Sequence, residues 1–99
     1  MSGDPARQAV GNLIYATTAG TFGLGTDEAL VEETLRNCTD PFMRQQIAAE
    51  YQRQTGRSID DMIRSEASGI QADIFRSLAA GDTEGANAAR AEEAMHGGW

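Results

Sequence analysis

The stretch Ile47–Gly69, IAAEYQRQTGRSIDDMIRSEASG, holds two helices and the break between them. Met43, Ile47, Ala48 and Tyr51 recur at three- and four-residue spacings, which lines them along one inward helical face. Ahead of them Asp40 can cap and Pro41 suits a first turn, where a missing N–H removes no intrahelical bond. Gly56 ends that helix, because glycine takes the left-handed closing conformation without a Cβ clash. Ser58 then opens a short helix, with Asp61 three residues on as a compact form of the reciprocal cap and Ile59, Met62 and Ile63 facing inward. Ser68 opens the next, where Ile70, Ile74, Phe75 and Leu78 form a stripe that stops before Gly81.

Working back toward the N-terminus, a first helix runs from about Asp4 to Thr18, with Asp4 as cap, Pro5 at the first helical position and Val10, Leu13, Ile14 and Thr17 on one face. A second runs from Asp27 to about Cys38 and buries Leu30, Val31, Thr34 and Leu35. Between them lies GTFGLGTDE, Gly20–Glu28, three of whose first six residues are glycines. Thr26, followed by two acidic residues, reads as the cap of the second helix, its hydroxyl accepting an N–H of the first turn. Past Gly81 a sixth helical stretch, Thr83 to Met95, has almost only alanine to bury and is marginal unless something packs on it. No segment alternates as a strand does. The expectation is an all-α fold: a five-helix unit over residues 4–80 and a trailing helix over 81–99.

Composition narrows the function. A chain of 99 residues suits one domain with a modest core. Its net charge of −7 repels nucleic acid and anionic lipid alike unless a cation intervenes. A single cysteine, Cys38, excludes an internal disulfide, and the single histidine, His96, lies in a glycine-rich tail, so no nucleophile and base are paired and the chain is expected not to be an enzyme. No apolar run approaches a membrane span and no signal peptide opens the chain, which points to a cytoplasmic protein or one bound to a membrane from one side. All eight basic residues are arginines, a bias of high-GC, bacterial coding sequences.

A glycine-rich loop can turn several carbonyls toward one point, and Ca²⁺ accepts backbone carbonyls among its six to eight oxygen ligands. The loop has no carboxylate of its own before Asp27, so a charged ligand comes from elsewhere: Asp60, Asp61 or Glu66, of which only Glu66 ends a helix and leads into a turn. A phosphate-binding P-loop is excluded, since no Gly-Lys-Ser/Thr follows. An EF-hand is excluded too, since its alternating acidic residues are missing.

Gly23 to Leu78 resembles one annexin repeat. GLGTDE is similar to the loop between that family's first and second helices, and the stretch from Ile47 to Gly69 follows its third and fourth helices without a gap. The resemblance implies a Ca²⁺ site built from the carbonyls of Gly23 and Gly25, a third from Thr21 or Gly20, and Glu66 as a bidentate carboxylate, with water or a lipid phosphate completing the shell. It implies Ca²⁺-dependent binding to anionic phospholipid membranes, with Phe22 and Leu24 placed to contact the lipid interface. The rival is a calcium-independent structural or protein-interaction module that keeps the fold, assembling with neighbouring repeats or a partner protein. Nucleic acid is not expected as a partner.

The chain departs from the family pattern in three places. Phe22 stands where a basic residue is common, Cys38 where an arginine is usual, and one residue is inserted between Leu30 and Ile47. Residues 86–99, ANAARAEEAMHGGW, are similar to the first helix and incoming loop of a following repeat, which implies a piece of a longer array.

Overall fold

Helix α3, Pro41–Thr55, starts and stops where its terminal residues dictate. Asp40 Oδ1 accepts the Phe42 N–H at 3.0 Å, and Gly56 closes the helix at φ +80°. Helix α4, Ile59–Glu66, carries the full reciprocal cap: Ser58 Oγ accepts the Asp61 N–H at 3.0 Å, and the Asp61 carboxylate accepts the Ser58 N–H at 3.4 Å. Both starts are purely local, each cap satisfying an N–H that the helix itself leaves without an acceptor.

The computed structural model describes residues 4–18 and 26–97, and all regular structure among them is helical. The remaining helices are α1 (Pro5–Thr18), α2 (Glu28–Arg36), α5 (Gly69–Ala79) and α6 (Thr83–Gly97). Helix α1 packs on α2 and α3, α2 on α5, and α5 on both α4 and α6. Val10, Leu13, Val31, Ile47, Tyr51, Met62, Ile63, Ile74 and Phe75 are fully buried where these faces meet. The all-α expectation holds, with five helices in the order read from the sequence and a sixth behind them.

Two local readings are corrected. Ala48 is exposed, not inward. The buried line of α3 is Ile47 and Tyr51, with Met43 half-buried above them, and Ala48 lies one residue, about 100° of helical rotation, off that line. The second helix is capped by Asp27 instead of Thr26: the Asp27 carboxylate accepts the Leu30 N–H at 3.2 Å, and α2 ends at Arg36, short of Cys38.

Helix α6 holds its place by packing and by one ion pair. Ala86 is fully buried and Ala89 lies against the core, while Arg90 reaches across to Glu32 on α2 and also contacts Glu93 at 3.1 Å. Asp82 Oδ1 accepts the Gly85 N–H at 2.8 Å and so starts the helix.

Candidate cation site at the base of the glycine loop

The last turn of α1 and the first turn of α2 are joined by one backbone bond, from the Asp27 N–H to the Ala16 carbonyl at 2.8 Å. The chain between them leaves and returns at that bond. Gly20, Thr21, Phe22, Gly23, Leu24 and Gly25 lie outside the described residues; Thr26, where the chain returns, is half-buried. Because Asp27 takes over the cap, the Thr26 hydroxyl is available for another acceptor. It donates to Glu66 Oε1.

Helix α4 fixes where that carboxylate sits. Met62 and Ile63 are buried to 0 % exposure, and Glu66, four and three residues later, comes back to the same side of the helix. Its carboxylate is therefore held half-buried at the helix end instead of lying in solvent. Ala67 leaves the helix in an extended conformation, its N–H bonded to the Ile63 carbonyl at 2.9 Å, and Gly69 turns the chain into α5 at φ +61°. Only a residue without a Cβ takes that turn at little cost.

Glu66 sits at an unfavourable pole. The last carbonyls of a helix carry the negative end of its dipole, so a carboxylate there is destabilising unless positive charge stands nearby. Arg57 supplies some of it: its Nη2 lies 3.6 Å from Glu66 Oε2, and its Nη1 donates to Ser65 Oγ at 3.3 Å. Ser65 Oγ in turn donates to Glu66 Oε2 at 3.2 Å. Beside this group opens a polar depression to which Glu28, Ser68, Gln71 and, from α6, Glu93 also contribute. Three helices thus present carboxylates to one depression, of which the sequence reading had singled out only Glu66.

The other candidates lie elsewhere. Asp61 is consumed by the cap, and Asp60 pairs with Arg64 at 3.0 Å and lies 3.7 Å from Arg76. Among the described residues no three His, Cys, Asp or Glu side chains converge as a metal cluster would need. A cation at Glu66 would therefore depend on backbone and hydroxyl oxygens for the rest of its shell. Such a donor set, all oxygen with little charge, suits a hard ion of the Ca²⁺ type and excludes the nitrogen and sulfur environments that soft metals prefer. Among the described residues Glu66 is the carboxylate tied to the return point of the loop, and the loop carbonyls lie outside those residues.

The family model described as Annexin matches residues 16–78, from the end of α1 through the last turn of α5. The chain belongs to the annexin family. Comparison with curated proteins and with solved structures returns no match. Annexins as a family bind phospholipid membranes in a Ca²⁺-dependent way. No helix among the described residues of this annexin repeat is long and apolar enough to cross a membrane.

Arg57 and Thr26 were missed as neighbours of Glu66. Only Thr26 had a legible signal, since Asp is at least as good a cap as Thr and stands one residue further on. Cys38 is buried, its Sγ donating to the Thr34 carbonyl at 3.1 Å. Burial pushes its thiol up, against a smaller opposing pull from Arg44, which suits an inert structural cysteine.

Proposed function

We propose that this chain is a Ca²⁺-dependent, non-enzymatic module that attaches peripherally to anionic phospholipid membranes. The observation that carries the reading is the bond from Thr26 to Glu66, which brings the return point of the glycine loop onto the one carboxylate at the end of α4. Carbonyls of Gly23 and Gly25, a third from Gly20 or Thr21, and the Glu66 carboxylate would hold the ion, while Phe22 and Leu24 would meet the lipid interface. Bound Ca²⁺ supplies the positive charge that lets a protein of net charge −7 approach an anionic surface. Thr26 and Ser65 orient the carboxylate, and the buried pair Met62 and Ile63 keeps it at the base of the loop.

A calcium-independent scaffold is favoured by a different observation: Thr26, Ser65 and Arg57 already engage both oxygens of Glu66. Sedimentation with vesicles of phosphatidylserine and phosphatidylcholine separates the two readings. The membrane module pellets with Ca²⁺ and stays in solution with chelator; Glu66→Gln abolishes the pelleting, and Asp60→Asn, which removes a charge from the same helix away from the loop, does not. No Ca²⁺-dependent pelleting of the unaltered chain would establish the scaffold, and equal pelleting of both variants in Ca²⁺ would remove Glu66 from the ligand set.

A further inference from the structure

Helix α6 is joined to the five-helix unit at two places of different chemistry. Near its start Ala86 is fully buried and Ala89 lies against the core, a small apolar footprint for a helix of 15 residues. One turn beyond Ala86, Arg90 bonds to Glu32 of α2, and its Nη1 donates to Glu93 Oε1 at 3.1 Å. Arg90 therefore fastens α6 to α2 and also fixes Glu93, three residues on, along the same side of the helix. Alanines bury little area, so the docked position of α6 depends on these charges as well as on packing.

Glu93 is thereby carried to the polar depression beside Glu66. Glu28, from the first turn of α2, lines the same depression, and so does Arg64, which is already paired with Asp60 at 3.0 Å. Among the described residues the carboxylates do not converge as metal ligands would, so Glu93 is not a further ligand. It acts at longer range. Helix α6 carries Glu84, Glu92 and Glu93 against one arginine, so its docking brings net negative charge toward a helix end that is itself negative. A cation held at Glu66 reverses the sign of that interaction.

We propose that Ca²⁺ binding at Glu66 and docking of α6 are linked, each strengthening the other through Glu93, a linkage that rests on the Ca²⁺ reading of Glu66. Linkage is reciprocal: if Ca²⁺ tightens the docking of α6 by some factor, docked α6 tightens Ca²⁺ by the same factor. The Glu93 side chain is 41 % exposed, so solvent screening holds that factor to about two- to fivefold. Salt lowers it further. Ca²⁺ then governs the placement of the segment behind the five-helix unit as well as the loop in front of it.

The test is amide exchange of the whole chain in saturating Ca²⁺ and in chelator, with calorimetric Ca²⁺ titration beside it and no lipid present. Opening of α6 alone leaves Glu66 in place, so Ca²⁺ slows exchange in α6 through such openings only if the two are linked. Exchange in α6 is expected to be about two- to fivefold slower in Ca²⁺ than in chelator, and this ratio to fall toward one in Glu93→Gln. A ratio taken within each variant cancels any change that the substitution itself makes to α6. In the wild type at about 1 M salt the ratio should also approach one, a comparison that needs no variant. Calorimetry is expected to show Ca²⁺ binding in the wild type, none in Glu66→Gln, and binding about two- to fivefold weaker in Glu93→Gln. A ratio of one in a wild type that binds Ca²⁺, or an undiminished ratio in Glu93→Gln, overturns the linkage and leaves the cation site standing. Absence of Ca²⁺ binding in the wild type overturns both.

Discussion

The Thr26 hydroxyl donates to the Glu66 carboxylate across 40 positions of sequence, tying the start of α2 to the end of α4. The next residue, Asp27, closes its N–H onto Ala16 at the end of α1 and caps α2 with its side chain. Two adjacent residues therefore bring three helix ends together at the base of the glycine loop. A carboxylate at the negative pole of α4 is tolerated there because a hydroxyl, a serine and an arginine surround it.

Loss of that hydroxyl is expected to cost stability. Thr26→Val keeps the shape and removes the donor, and a hydrogen bond to a charged group contributes about 1.5–3 kcal/mol, the lower end applying to a half-buried one. Urea denaturation should show Thr26→Val less stable by about 1–2 kcal/mol, with Thr26→Ser near wild type. An unchanged midpoint in Thr26→Val would mean that the bond contributes nothing in solution.

Calcium titration without lipid is expected to give weak affinity, on the order of 10⁻⁴–10⁻³ M, because one carboxylate and neutral oxygens supply little charge. Arg57 stands 3.6 Å from Glu66 Oε2 and competes with any cation there. Both side chains are partly exposed, so the competition is limited to about 1 kcal/mol or less, and Arg57→Gln should tighten Ca²⁺ about two- to fivefold. Micromolar affinity in the wild type, or weaker binding in Arg57→Gln, would contradict the ligand set.

Acid is expected to loosen α6. Burial pushes the Glu32 carboxyl up, but its contacts with Arg90 and Arg36 outweigh this and hold it below the ordinary value of 4.5. A carboxyl lower in the folded than in the unfolded protein stabilises the fold fully above the unfolded value, and the contribution disappears as pH falls through the folded one. Arg90 stays charged throughout and loses its partner on α2. Amide protection in α6 should therefore decline as pH drops below about 4.5, relative to the core of α5. Arg90→Gln should lower protection at neutral pH and flatten this dependence. A wild-type profile identical to that of Arg90→Gln would remove the ion pair from the account.

Two glycine substitutions should move stability in opposite directions. Gly11 sits exposed inside α1 with nothing within 4 Å of a would-be Cβ, so Gly11→Ala should stabilise by about 0.5–1 kcal/mol. Gly56 has equal space but closes α3 at φ +80°, so Gly56→Ala should destabilise by about 1–2 kcal/mol. Thermal melts of the two variants decide it, and shifts of the same sign would show that space, not backbone angle, governs these positions.

Helix order and most helix boundaries are determined by the sequence itself, because caps and stops act over three or four residues. Asp40 with Pro41, Ser58 with Asp61, and Gly56 each need only their own neighbours. Buried positions follow nearly as directly, since Met62, Ile63, Ile74, Phe75 and Leu78 repeat with the helical period; Ala48 escaped because a small side chain at the edge of a stripe is equally at home on either side. Near Glu66 the sequence alone yields a carboxylate at a helix end, and only its resemblance to a family pattern links it with a distant loop. The bond from Thr26, the nearness of Arg57, the arrival of Glu93 from α6 and the pairing of Arg90 with Glu32 were decided by the tertiary structure. Each joins side chains from different segments, and how those segments meet depends on how the buried faces of all six helices pack at once. No local spacing encodes that geometry.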